Sequence, residues 1–263
     1  MWNPLLAFVL VAPFALQAPT AKPPSAETVK ATVAKLETAF KTGKTAERTE
    51  AIREASAVLD ADVVKWIAKG LSTDDAVVCA GALDALGTMQ HPDALAALTD
   101  AWTRDRELRK HDELGGRALK AIARHRSPKS IALLADDPFE SSNHAAIQAR
   151  ILGLANIREK ESVERLIAMM RLVGQNRIGT YMDEFRLALF VLTGHDEGRA
   201  AQLWFDWWNE HKKDFAVAKE LPELPRLDRM RWNAYWGVEA DEKGDRDPPK
   251  RKEKRGDEPR RKD

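Results

Sequence analysis

The sequence predicts an all-α fold, a solenoid of stacked helix pairs. Two observations carry this. From about residue 25 to 236 the apolar residues recur at spacings of three and four, with no long alternation of β-branched side chains. The same apolar pattern also recurs along the chain. AGALDALGTMQHPDALAAL at 80–98 aligns without a gap on QARILGLANIREKESVERL at 148–166. That alignment pairs Leu83 with Ile151, Leu86 with Leu154, Gly87 with Ala155, Leu95 with Val163 and Leu98 with Leu166. A middle copy supplies Leu119, Ile122, Pro128, Ile131 and Leu134, and a looser one runs from Leu189 and Leu192 to Ala201 and Trp204. Each unit reads as a first helix ending near Leu86, Ile122, Leu154 or Leu192, a short turn, and a second helix covering the first. Neither helix can hide its apolar stripe alone, so the pairs must stack.

Composition sets the bounds. The 263 residues suit one or two domains, and 44% are apolar, enough for a core. Lys and Arg number 42 against 41 Asp and Glu, so the net charge of +1 gives no electrostatic case for wrapping nucleic acid. A single cysteine excludes an intrachain disulfide and a zinc site built on several thiolates.

The amino terminus reads as an export signal over residues 1–18. Residues 4–16, PLLAFVLVAPFAL, form an apolar run too short to span a bilayer, which takes about 20 residues. Small residues follow, with cleavage expected after Ala18 or within Ala15 to Gln17. No Lys or Arg precedes the run, so an uncleaved membrane tether or a buried terminal helix stands as the alternative. No cysteine lies directly after it to take a lipid. Residues 19–24 are a flexible, proline-containing lead-in. The expected location is periplasmic or secreted.

The solenoid domain runs over 25–236, with caps at both ends. In the amino-terminal segment, Val29, Val33, Leu36 and Phe40 share one helix face, TAERTEAIREASAVL and DADVVKWIAKGL follow, and Gly70 is a natural stop. GKT at 43–45 is no phosphate loop, since it lacks the preceding glycine at the required spacing. Ser72 or Thr73 is expected to cap a helix beginning at Asp74. Ala76, Cys79, Leu83 and Leu86 form the next stripe, so Cys79 is read as a buried thiol rather than a nucleophile. Pro92 and Pro128 sit at the first turn of second helices, where a missing amide hydrogen costs nothing. Gly115 and Gly116 read as a bend or a turn before Arg117. Ile147, Ile151 and Leu154 make one further stripe, Val163, Leu166, Ile167 and Met170 another, and Phe185, Leu189 and Leu192 a third.

Aromatic residues crowd the carboxyl-terminal end. Trp204, Trp208 and His211 share a helix face bordered by Trp207, while Phe205 points elsewhere; Trp232 and Trp236 repeat the four-residue spacing. These six, Trp204, Trp207, Trp208, His211, Trp232 and Trp236, are the candidate partner or ligand surface. One expectation is that these rings cap the last repeat, with 226–236 folded back over that repeat. The other is an aromatic platform for a peptide or sugar, or an enzyme that uses this Trp-rich region. Residues 221–227, LPELPRL, form an extended link. The tail at 237–263 is highly charged, and over 241–263 ten basic and eight acidic residues leave no apolar side chain but proline. It is expected to stay disordered.

No catalytic constellation emerges. The six histidines form no paired metal motif, and no nucleophile elbow, Rossmann or Walker glycine pattern occurs. His111 and His195, each followed by Asp and Glu, read as capping or solvent-facing residues. The arginines of 104–117 are interrupted by acids and read as a charged outer face. No cofactor, no metal and no nucleic-acid partner are expected.

LDALGTMQHPDALAAL, LKAIARHRSPKSIALL and ILGLANIREKESVERLIAMM together resemble the HEAT-repeat family, whose physics armadillo repeats share. The resemblance covers roughly residues 45–212 and implies a right-handed α-solenoid of antiparallel helix pairs. The third copy carries EK where the others carry HP, so its turn is expected to differ. LTGHDEGRAAQLWFDWWNEHKKDF is also similar to a terminal segment of exported bacterial HEAT-repeat proteins. The resemblance implies a non-catalytic, protein-binding or scaffolding role with a protein partner.

Overall fold

Ser25 starts the first helix because its hydroxyl can accept the amide of Thr28, one of the donors a helix start leaves unpaired. The computed structural model describes residues 23–139, 143–172 and 175–238. The expected export signal at 1–18, most of the expected lead-in and the tail beyond Val238 lie outside the described residues. The chain divides into two compact units, one ending at Ala97 and one beginning at Leu98. Described residues are helical or irregular, with no strand among them.

The first unit holds α1 (Ala26–Thr42), α2 (Thr45–Ala55), α3 (Ala61–Ala68) and α4 (Ala76–Thr88), and α5 (Pro92–Arg104) begins in it. Helix α2 packs on α4 and α1 on α3, so α2 and α4 form one layer and α1 and α3 the other. The segment expected as a cap therefore contains a helix pair, α2 with α3, built like the repeats. Gly43 closes α1 and Lys44 opens α2, as befits a turn rather than a phosphate loop. The cap of α4 departs from expectation. Asp75, not Ser72 or Thr73, accepts the amides of Val77 and Val78, and α4 begins at Ala76. A carboxylate one residue from the first turn wins over a hydroxyl further back, and the hydroxyl of Thr73 instead accepts the Asp75 amide. Cys79 is buried, as expected.

The second unit contains α6 (Arg106–Lys110), α7 (Asp112–Arg124), a 3₁₀ turn (Pro128–Ser130), α8 (Ile131–Ala135), α9 (His144–Asn156), α10 (Lys160–Leu172), α11 (Gln175–Thr193), α12 (Ala201–His211) and α13 (Arg226–Trp236). Helices α7, α9 and α11 pack side by side, as do α8, α10 and α12. These two layers are the first and second helices of three successive pairs. Leu86, Ile122 and Leu154 are each wholly buried, as are Leu83, Leu119, Ile151, Val163, Leu166, Met170, Phe185 and Leu189. Ala76 is exposed at the start of its helix, and Val29, Val33 and Phe40 of the amino-terminal stripe are only half-buried.

Two details of the repeat differ from expectation. Gly115 and Gly116 form no bend; they lie within α7, and a Cβ on Gly116 would stand 2.8 Å from the carbonyl carbon and Cβ of Ala145. The glycine lets the first turns of α7 and α9 approach closely. The turn of the third copy also matches the first despite its EK. His91 donates to Met89 O at 2.7 Å and Ala94 to His91 O at 3.1 Å; at the aligned positions Glu159 donates to Ile157 O at 2.8 Å and Ser162 to Glu159 O at 3.0 Å. These are backbone bonds, so the side chains are free to differ. The divergent turn belongs to the middle copy, where Arg126 has φ of 52° and the second helix is only the short α8.

His111 acts as a cap, its Nδ1 accepting the amides of Glu113 and Leu114. The basic run is held locally. Arg104 pairs with Asp100, Arg117 with Glu113, and Arg109 donates to the carbonyls of Trp102 and Thr103. Asn143 ties two repeats together. Its Oδ1 accepts Ala146 N at 3.1 Å, and its Nδ2 donates to His111 O at 3.3 Å and Asp112 O at 2.9 Å. Asn143→Ala is expected to lower unfolding free energy by about 1–2 kcal/mol, read by urea titration.

Candidate functional site

The aromatic end is built by a loop that two glycines allow. Thr193 ends α11, and Gly194 at φ 70° reverses the chain, a conformation that disfavours a side chain. Asp196 accepts the amide of Gly198, itself at φ 69°, and the chain enters α12. Gly198 O then receives Trp204 Nε1 at 2.9 Å, which satisfies the one polar atom of a fully buried indole.

Trp204 and Trp208 are buried, at 0% and 5% exposure, on the face of α12 turned to the core. Trp207 is half-buried and meets Trp204 edge-on at 6.1 Å. His211 does not join the buried face. It is exposed, stacks on Trp207 at 4.9 Å, and bonds through Nδ1 to the Trp207 carbonyl. His195 also stacks on Trp207, at 5.2 Å and 11° from parallel, and pairs with Glu197. Phe215 completes the cluster against Trp207 and Trp208, at 5.7 and 5.6 Å. Phe215 lies past the end of α12, in irregular chain, so no helical spacing marked it in the sequence.

Trp232 and Trp236 are placed elsewhere. They meet each other at 5.7 Å, and none of the described ring contacts joins them to the α12 cluster. Residues 226–236, expected to fold back over the last repeat, make their polar contacts with α7 and with α11 of the last pair, not with the α12 rings. Arg124 donates to Trp236 O at 3.3 Å, Lys120 Nζ lies 4.6 Å over the Tyr235 ring, and Arg186 of α11 holds Asp228. The six candidate residues thus fall into two groups.

The strongest electrostatic feature is a triad that no periodicity marked. Arg186 grips Asp228 with both terminal nitrogens, each at 3.1 Å, and reaches Asp196 through Nε at 2.9 Å. Asp228 is only 4% exposed. The Asp196 bond pushes the Arg186 guanidinium above its usual range, against the opposing effect of burial and with further help from Asp228. Burial pushes the Asp196 carboxyl up, but bonds from Arg186 and the Gly198 amide outweigh it and hold the carboxyl below the ordinary aspartate range. The triad pins α11, the glycine loop and α13 together.

Among the described residues no group of three or more His, Cys, Asp or Glu side chains converges to hold a metal ion. Residues 33–114 match the family model described as HEAT repeats, which takes in the pairs α2 with α3 and α4 with α5. No curated protein matches the chain.

Proposed function

We propose, from the HEAT-repeat character of residues 33–114, that this chain is an exported scaffold whose helix pairs bind a protein partner. HEAT repeats generally mediate protein–protein interaction or scaffolding. The observation that carries the reading is the layered packing of helix on sequence neighbour, which builds surface from repetition rather than a pocket around reactive groups. The α12 end supplies anchors of the kind partners use, with Leu203 48% exposed beside the half-buried Trp207. Export rests on the apolar run at 4–16 and places the partner in the periplasm or outside the cell.

A sugar or peptide platform needs open indoles. Trp204, Trp208 and Trp232 are buried, and two imidazoles already stack on Trp207, so geometry favours the protein partner. Native crosslinking of the exported fraction, followed by affinity capture, is expected to recover one protein repeatedly. Leu203→Ser is expected to weaken that capture without changing thermal stability. Repeated capture without any protein partner contradicts the proposal.

A further inference from the structure

Two turns of the repeat put an arginine at the same place. Arg126 lies four residues after Ile122, and Arg158 four residues after Leu154. Because α7 and α9 pack side by side, these turn positions share one edge of the second unit. Between them lies a cavity of about 180 Å³, lined by Arg126, Arg158, Lys219, Asn156, Leu221 and Trp232 among others. Three of these are cations and none is an acid. Arg126 also holds φ at 52°, where glycine would sit without strain.

Arg158 spends three N–H groups on backbone carbonyls: Nε on Ala218 at 2.8 Å, Nη1 on Val191 at 2.9 Å and Nη2 on Glu220 at 2.7 Å. A guanidinium has five, so one remains on each terminal nitrogen. Burial, with the charge of Arg126 added, holds this guanidinium below its usual range, and no carboxylate acts on it. Among the described residues Arg126, Arg158 and Lys219 make no ion pair. A half-buried guanidinium beside two further cations is normally paired with an acid.

We propose that this cavity receives an acidic side chain of an extended polypeptide, its carboxylate held by Arg158, Arg126 and Lys219. The inference rests on the protein-binding reading and names the chemistry of the partner. The two remaining Arg158 donors, one per terminal nitrogen, suit a planar pair of carboxylate oxygens. Trp232 and Leu221 give the methylene stem an apolar wall, which a free oxyanion would leave uncovered.

The test uses the full chain and fluorescence anisotropy with a labelled peptide alternating Glu and Gly. The Gln counterpart serves as control and inorganic phosphate as competitor. The Glu peptide is expected to bind, more weakly as salt rises, and the Gln peptide to fail. Arg126→Gln and Lys219→Gln change exposed side chains, so the fold should persist, and each is expected to weaken binding roughly tenfold. Arg158→Lys keeps the charge, removes the fork and should weaken it at least as much. The proposal is overturned if the Glu peptide fails to bind at low salt. It is equally overturned if binding ignores Arg126 and Lys219, or if phosphate binds while the peptide does not. If the crosslinked protein partner survives the Arg126→Gln, Lys219→Gln double variant, the scaffold reading stands and the acid-binding site alone falls.

Discussion

Trp204→Ala is expected to destabilise the chain by about 4 kcal/mol, read by urea unfolding followed through helical circular dichroism. The indole is wholly buried and is the largest side chain so buried among the described residues. Its removal leaves a void between α12 and its surroundings and strands the Gly198 carbonyl that held α12 to the preceding loop. Trp204→Phe separates the two effects. It keeps most of the packing, loses only the N–H bond and should cost about 1–2 kcal/mol. On the same helix Leu203→Ala, at an exposed position, should stay within about 0.5 kcal/mol. If Trp204→Ala behaved like Leu203→Ala, the α12 aromatics would be a surface feature and not an anchor for the last pair.

Arg186→Met should cost about 3 kcal/mol near neutral pH, because it leaves the buried Asp228 carboxylate without its cation. The partial exposure of Asp196 keeps the figure at the lower end of the range for broken buried pairs. Arg186→Met combined with Asp228→Asn should recover part of the loss, since the damage comes from the abandoned charge more than from the missing bond. The triad also gives stability a pH dependence of known sign. Asp196 has its folded carboxyl held below the ordinary aspartate value of about 3.9. Its contribution is therefore full above that value and disappears as pH falls through the lower, folded one. Wild-type protein should lose stability on this limb, and the gap between wild type and Arg186→Met should narrow below about pH 4. A gap that stayed constant would show that the ion pairs contribute nothing specific.

The sequence revealed which faces are buried but not against what. Leu86, Ile122 and Leu154 could be named in advance because a three-and-four spacing is a property of one helix, and all three are sealed. His111 as a helix cap was legible for the same local reason. Gly116 was misread because a glycine in a helix looks like a weakness until the neighbouring backbone is seen 2.8 Å from where its side chain would stand. Asp228 went unseen because acids on a charged helix are normally wet, and only tertiary structure brings Arg186 to it. The folding back of α13 could be anticipated, but not that it reaches α7 as well as α11. An extended link leaves its destination open, and the Trp232 and Trp236 spacing describes a face without naming its partner. Arg126 and Arg158 carried a readable signal, a common offset from two aligned repeat positions, but their meeting depends on α7 and α9 lying side by side.

That side-by-side packing of successive pairs is the central claim, and Gly153 of α9 tests it against Ala123 of α7. A Cβ on Gly153 would lie 2.9 Å from the Ala123 methyl. Gly153→Ala should therefore destabilise the chain by about 1–2 kcal/mol, although alanine is the better helix former by about 1 kcal/mol. In an Ala123→Gly background the clash is gone, and the same substitution should be neutral or stabilising. A double-mutant cycle by urea unfolding that gives this coupling of at least about 1 kcal/mol supports the stacked seam. Strictly additive effects would mean that α7 and α9 do not meet there, and the stacked-pair architecture would be contradicted.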